Sequence, residues 1–321
     1  MTSGGLKILV VGAGQIGSRH MQALANTEGV GAVAAVDPVA ASRDTAMARW
    51  RDVPGHAGKA LTLAASLAEI GPSEKFDLAI IATSAPGRLE ILKDLVALGV
   101  RRVLSEKLLF QSVAQLDAAV ALCAASGVSL YPNYVYRFVD PWPAAARQLA
   151  GRPFTLNVAA GDIGLATNAP HWLDMFQFLA GGAALTQVGV TLSKPHYASK
   201  RGGGLLEIAG TASASAANGA TLTMSFDGPP RSPLITLSAA GKRLTVDEET
   251  ASIDGDLLDG EAALQVPMVS RTTALAVPQI VAGQTVLPTL AETADANRLL
   301  LRAMGAAMVG GHEDDRAVPV T

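Results

Sequence analysis

One cysteine, few aromatic residues and a low density of charge limit what this 321-residue chain can be. Cys123 has no second cysteine to join, so no internal disulfide framework forms; its alanine-rich run, Ala118–Ala125, makes it a small buried hydrophobe. Charged residues are 17% of the chain and the net charge is −3, which gives no electrostatic reason for a nucleic-acid partner. No Cys and His cluster with metal-ligand spacing, so no metal is expected. The first apolar run is too short to span a bilayer, and Met1–Gly5 lacks the basic and apolar regions of a leader. A cytoplasmic protein without a membrane partner is expected. What is abundant is apolar surface: 49% hydrophobic residues on a length that favours two cores.

Over the first 130 or so residues, apolar strand-like runs alternate with helical patterns, the signature of a parallel sheet wrapped by helices. Strands are expected over residues 7–11, 31–36, 78–82, 102–105 and 128–131, and helices over 16–26, 40–49, 64–70, 89–98 and 113–126. Beyond about residue 150, strands follow one another at 154–160, 184–193, 205–213, 220–226, 234–239 and 242–247. Asn218-Gly219, Asp227-Gly228 and Ala240-Gly241 separate several of them as turns, which predicts a largely antiparallel sheet. A helix over Asn168–Leu179 ends at Gly181-Gly182, and another near 289–308 returns to the core. The expected domains are 1–132 and 133–321, with a loose tail from Gly310.

The first strand stops at Gly12-Ala13-Gly14-Gln15-Ile16-Gly17, with glycines at G-x-G-x-x-G spacing. Gly12 permits the tight turn, Gly14 admits a pyrophosphate close to the backbone, and Gly17 lets helix and strand pack. The pyrophosphate then rests on the free N–H groups of the following helix. A second strand ends at Asp37, whose carboxylate accepts the hydroxyls of an adenosine ribose. That charge repels a 2′-phosphate and favours NAD, although the nearby Arg43 keeps NADP open.

Three further groups carry chemistry. Ser105-Glu106-Lys107 ends the strand over 102–105, on the edge of the sheet where ligands bind. Lys107 there either bonds a substrate oxygen beside the nicotinamide or is a surface lysine paired with Glu106. On the later helix, Asn168, His171 and Asp174 share roughly one face, with Thr167 one turn before His171. His171 can take a proton from an alcohol, with Asp174 or a carbonyl fixing its tautomer, or it is a structural histidine. Asn168 is either a substrate contact or the helix N-cap. Between the halves, residues 131–138 hold three of the chain's four tyrosines, read as packing, beside Asn133 and Arg137, which can reach a polar ligand. Lys194, His196, Lys200 and Arg201 form either an anion-binding group or a solvated loop.

Ordered along the chain, these motifs resemble the Gfo/Idh/MocA family of glucose–fructose oxidoreductases, inositol dehydrogenases and rhizopine-catabolism enzymes. The motifs are the glycine turn with Ser18-Arg19-His20, Ala82-Thr83-Ser84-Ala85-Pro86, Glu106-Lys107, Asn133–Phe138 and His171-Trp172-Leu173-Asp174. The resemblance implies a Rossmann domain followed by an α/β domain with a large, open, mostly antiparallel sheet, often the dimer or tetramer interface. It implies NAD(P)-dependent oxidation or reduction of a sugar, polyol or sugar derivative. Gly12, Gly14, Gln15, Ile16, Gly17, Asp37, Thr83, Ser84, Pro86, Arg88, Glu106 and Lys107 would then line the cofactor. Asn133, Arg137, Thr167, Asn168 and His171 would meet the substrate, Lys107 orienting the oxygen, with His171 as acid/base and Asp174 beside it. Three positions depart from the family pattern: Leu108 replaces a proline, Arg88 a loop histidine, and Thr167 the aspartate of Asp-x-x-x-His. The segments around Lys107 and His171 are also similar to a branch linked to surface-polysaccharide sugars, where that aspartate is likewise missing. An imine or non-sugar carbonyl reductase and a non-catalytic NAD or sugar sensor are the alternatives.

Overall fold

The computed structural model describes residues 5–71, 73–200, 202–260, 264, 268–310 and 313–320. Arg201 of the basic cluster, and residues 1–4 at the N-terminus, lie outside them. The chain divides into two compact units. The first is Met1–Phe110, Asp117–Asn133 and Met268–Glu292; the second is Gln111–Leu116, Tyr134–Pro267 and Thr293–Thr321.

The first unit is built on six parallel strands: β1 Leu6–Val11, β2 Val30–Val36, β3 Ala60–Ala64, β4 Leu78–Ile81, β5 Arg102–Ser105 and β6 Ser129–Pro132. Their order is β3-β2-β1-β4-β5-β6, so the direction of winding reverses between β1 and β4. Ligands bind at the strand carboxyl ends beside such a switch. Val10, Val11, Ile80 and Ile81 are buried because helices cover both faces of a parallel sheet. The connecting helices are α1 Gln15–Asn26, α2 Ala40–Arg51, the short α3 Leu67–Ile70, α4 Arg88–Ala97 and α5 Val113–Ser126. β3 is a correction to the sequence reading, which began a helix at Ala64. Ala60-Leu61-Thr62-Leu63 exposes Ala60 and Thr62, and its hydrophobicity is too thin to signal a strand; pairing with β2 makes it one.

Two stretches depart from division in chain order. Helix α8, Val269–Ala282, lies beyond the second sheet in sequence yet packs on α1 in the first unit. Gln111–Leu116 joins the second unit because Gln111 and Ala114 are tied to the C-terminal segment. Gln111 Nε2 donates to Val320 O at 2.7 Å, Val318 N to Gln111 O at 2.7 Å, and Ala114 N to Asp314 O at 3.0 Å. The expected loose tail is therefore corrected over its described part: Val318 and Val320 are buried, and Leu206 N donates to Pro319 O at 2.7 Å.

The second unit has α6 Trp142–Leu149, β7 Thr155–Gly161, α7 Leu165–Leu179, β8 Leu185–Leu192, β9 Tyr197–Ala198, β10 Leu206–Glu207, β11 Gly210–Ala216, β12 Thr221–Gly228, β13 Leu234–Ala239, β14 Lys242–Asp247 and β15 Ser252–Gly255. Seven of these strands form one sheet, ordered β15-β14-β13-β7-β12-β11-β8, antiparallel except where β7 meets β12. Burial alternates along β7, β11 and β12, and their apolar face receives α7. Ala240 and Gly241 both take positive φ in the β13–β14 hairpin, as a tight two-residue turn requires. The Asp227-Gly228 turn is different: β12 and β13 do not pair, because β7 lies between them. The single strand expected over 205–213 is broken into β10 and β11 at Ile208-Ala209, with Gly210 at φ +147. The last helix, α9 Leu290–Val309, matches its expected span and buries Leu300 and Met304.

Candidate active site

In the first unit each glycine of the turn has a distinct geometric reason. Gly12 has φ +94, and a Cβ there would stand 2.9 Å from Thr83 N. At Gly17 a Cβ would fall 1.7 Å from Gly12 O, so helix and strand can approach only without a side chain. A Cβ on Gly14 would meet nothing within 4 Å, which leaves open space in front of the α1 N-terminus. Gly14 is also the helix N-cap and supplies no side-chain cap. Asp37 is held by Ala13 N on Oδ2 at 2.8 Å and by Val39 N on Oδ1 at 2.9 Å. Each carboxylate oxygen retains a lone pair for a ribose hydroxyl. Arg43 Nη1 donates to Asp37 O at 2.6 Å, so it braces the strand end behind the acid. The side chain of Gln15 accepts from Arg49 at 2.7 Å. Ile16 is half-buried in α1, while Ser84 and Pro86 are exposed in the loop after β4. Thr83 Oγ1, in the same loop, is buried without a hydrogen-bond partner among the described residues. An open cradle at a helix N-terminus, a fixed acid and an orphaned hydroxyl fit NAD.

Three expected contacts of the first unit have other tasks. The Arg88 guanidinium, expected beside the cofactor, is buried and donates to the carbonyls of Thr83, Glu106 and Leu108. A buried guanidinium needs acceptors for its donors, and three main-chain carbonyls accept from its two terminal nitrogens. Glu106 turns inward: its Oε1 accepts from Asn133 Nδ2 at 2.6 Å and meets His20 Nε2 at 3.2 Å. Burial pushes the Glu106 carboxyl up, but the hydrogen bond and charge of His20, with Lys107 and Asn133, hold it well below the usual carboxylate range. Asn133, expected to touch substrate, is buried with Nδ2 on Glu106 and Oδ1 without a partner among the described residues. Lys107 is itself buried, and Glu106 N is fixed to Ile81 O at 2.9 Å.

In the second unit α7 begins at Leu165, three residues before the expected start, so Asn168 is not its N-cap. Asn168 Nδ2 instead donates back to Gly164 O at 2.7 Å and Ile163 O at 3.2 Å. His171 lies between two tyrosine rings, both edge-on: Tyr134 at 6.1 Å and Tyr136 at 5.8 Å. Asp174 is buried, and both of its oxygens accept from Arg137, at 2.9 Å from Nε and 2.7 Å from Nη2. Burial raises the Asp174 carboxyl above its ordinary range, against the pull of Arg137. The two residues expected to serve His171 and the substrate thus serve each other. Lys194 and Tyr197 both bind Asp162, which neutralises part of the expected basic cluster.

Glu248, just past β14, hydrogen-bonds Tyr136, and burial pushes its carboxyl up to about 7. A carboxyl raised above its unfolded value keeps its proton longer in the native state, so stability falls as pH rises from about 4.5 to about 7 and then levels. Glu248→Gln should remove that decline. The variant gains of the order of 2–3 kcal/mol over wild type between pH 4.5 and 8 in urea unfolding; parallel pH profiles for the two proteins would contradict the burial of this group.

Residues 6–134 match the Gfo/Idh/MocA model, an oxidoreductase family with an NAD-binding Rossmann fold. No curated protein matches the chain. Among solved structures, the chain resembles the WlbA dehydrogenase from Bordetella pertussis in complex with NADH and UDP-GlcNAcA. The identity is 16%, the TM-score 0.72, and the match covers 99% of this chain and 100% of the other. An oxidoreductase from Agrobacterium radiobacter, solved with NAD+, L-tartaric acid and magnesium, gives 15% identity, TM-score 0.71 and coverage of 97% and 98%. A super-repressor mutant of Gal80p from Saccharomyces cerevisiae gives 13%, 0.70, and 97% of both chains. At these identities the likeness is one of fold, and the fold hosts more than one function.

His20, which follows the glycine turn in the sequence motif, has a structural task in the first unit. It is fully buried, with Nδ1 2.7 Å from Thr273 Oγ1 on α8 and Nε2 on Glu106. Nothing in the sequence pairs positions 20 and 273. Glu207 was missed for a similar reason: it fell inside a strand expected to be continuous. Among the described residues, no helix is long and apolar enough to cross a membrane, and no group of three or more His, Cys, Asp or Glu is placed to hold a metal.

Proposed function

We propose that the protein is an NAD-dependent dehydrogenase of a sugar, polyol or sugar derivative. The observation that carries this reading is the treatment of Lys107. It follows β5 on the carboxyl edge of the sheet that bears the glycine turn, and Arg88 grips the carbonyls on both sides of it. A lysine held this way is a fixed donor for a substrate oxygen. NAD, when bound, supplies the hydride acceptor at the nicotinamide. The glycine turn and the α1 N-terminus hold its pyrophosphate, and Asp37 its ribose. Lys107 donates to the reacting hydroxyl. His171 would take that hydroxyl's proton as the carbinol carbon gives up its hydride to the acceptor that NAD would supply, leaving a carbonyl and an imidazolium. The reverse direction returns the proton from His171. The sugar class is supported by the fold shared with a dehydrogenase solved with UDP-GlcNAcA. Self-association as a homodimer or homotetramer belongs to the same reading, with the solvent-facing side of the seven-stranded sheet, which carries Thr155, Asn157, Thr211 and Thr223, as the contact surface.

A sensor without turnover is the second reading, favoured by Thr167 and by the fold shared with Gal80p. A screen of polyols, sugars and nucleotide sugars separates the two through NADH formation. Turnover with at least one class is expected, and His171→Gln should lower it at least about a hundredfold while NAD affinity holds. Tight NAD binding with no turnover across the screen would favour the sensor.

A further inference from the structure

The break between β10 and β11 aims one carboxylate at the start of the helix that carries His171. Glu207 is buried, and its Oε1 accepts from Ala166 N at 2.8 Å and from Ile208 N at 3.0 Å. Its Oε2 accepts from the Thr167 hydroxyl. Leu165 N donates to Ile208 O at 2.9 Å, which pins the segment after Glu207 to the first residue of α7. Gly164, at φ +95, makes the room: a Cβ there would lie 2.5 Å from Glu207 Oε2 and 2.6 Å from its Cδ. The backbone on both sides is thus shaped around this carboxylate.

We infer that Glu207, acting through Thr167, is the positioning carboxylate that readies His171 for proton transfer. The inference rests on the reading of His171 as acid/base. Thr167 and His171 are one helical turn apart and share a face. Thr167 carries no charge, but its hydroxyl proton is given to Glu207, which leaves the oxygen as an acceptor polarised by an anion. Two main-chain amides and a hydroxyl, all neutral, donate to Glu207. The other ionisable groups around His171 are less suited. Asp174, one turn later, is neutralised by Arg137. Glu248 is separated from His171 by the ring of Tyr136, whose hydroxyl it holds. Tyr134 and Tyr136 meet the imidazole in T-shaped ring contacts, and burial raises both hydroxyls. Tyr197, which feels the charge of Glu207, is engaged with Asp162. A carboxylate lends an imidazolium stability and lifts its pKa, which keeps the proton acceptor strong.

The test is an NMR titration of the His171 imidazole, assigned by its loss in His171→Gln, in wild type, Glu207→Gln, Thr167→Val and Thr167→Asp/Glu207→Gln. The pH profile of kcat/KM is followed alongside. Glu207→Gln should lower the His171 pKa by about one unit and shift the acid limb of the profile with it; kcat should fall about tenfold with NAD affinity unchanged. The double variant moves the carboxylate to residue 167 and should restore both. Thr167→Val should shift His171 in the same direction, which keeps the test open if Glu207→Gln does not fold. An unmoved His171 in folded Glu207→Gln or Thr167→Val overturns the inference, as does a folded double variant that restores nothing. Unchanged turnover in His171→Gln would instead sink the acid/base reading and leave the titration result standing.

Discussion

Lys107→Ala should cost at least about a hundredfold in turnover, the scale for a positioned acid–base or orienting group, while NAD still binds within about threefold. The expectation follows from how much structure is committed to one side chain's backbone. Glu106 N is tied to Ile81 O on β4, and Arg88 grips the carbonyls of Glu106 and Leu108. The Glu106 carboxylate is itself set between His20 and Asn133. The three main-chain bonds do not use the Lys107 ammonium, so truncation to alanine leaves the backbone frame standing while it removes one of the charges that hold Glu106 ionised. Lys107→Arg should not rescue, since a planar fork cannot take the place of a compact ammonium in a buried site. Steady-state rates on the best substrate from the screen, with NAD affinity measured by fluorescence, decide it. Turnover equal to wild type would remove Lys107 from the mechanism.

Gly17→Ala should be strongly destabilising. Its Cβ would fall 1.7 Å from Gly12 O, a main-chain atom that cannot swing aside. Either α1 or the end of β1 has to move, at about 3 kcal/mol or more, and the NAD cradle moves with it. Gly14→Ala is the control. Its methyl meets nothing within 4 Å, and Gly14 sits at φ −67, where alanine is at ease. That variant should keep wild-type stability to within about 1 kcal/mol yet lose at least about tenfold in NAD affinity, because the methyl stands where a pyrophosphate would lie. Urea unfolding and NAD titration of the pair separate a packing glycine from a binding glycine. Equal effects of the two substitutions on stability would contradict the geometry of the turn.

The first unit was legible because its signals are local. A buried parallel strand is a short apolar run, and the glycine turn and Asp37 are separated by one helix and one strand. β3 escaped because an edge strand buried on little of its surface carries little pattern. The residues around His171 were identified, but their partners were not. Asp174 looked like a companion to His171 from its place three residues on, yet a helix position does not say which way a carboxylate turns, and Arg137 takes both of its oxygens. Arg88 read as a loop residue near the cofactor, whereas burial forces its donors onto carbonyls.

The sequence by itself determined that a dinucleotide is held, since tight turn, close approach and helix N-terminus are properties of eleven or so consecutive residues. It also determined the alternating first unit and the run of strands after it. Tertiary structure alone decided which distant groups meet: His20 with Thr273 and Glu106, Gln111 with Val320, and Glu207 with Thr167. The physical reason is the range of each signal. Periodicity and turn chemistry act over a few residues, while buried polar groups are paired by whatever the packed chain brings within hydrogen-bond reach.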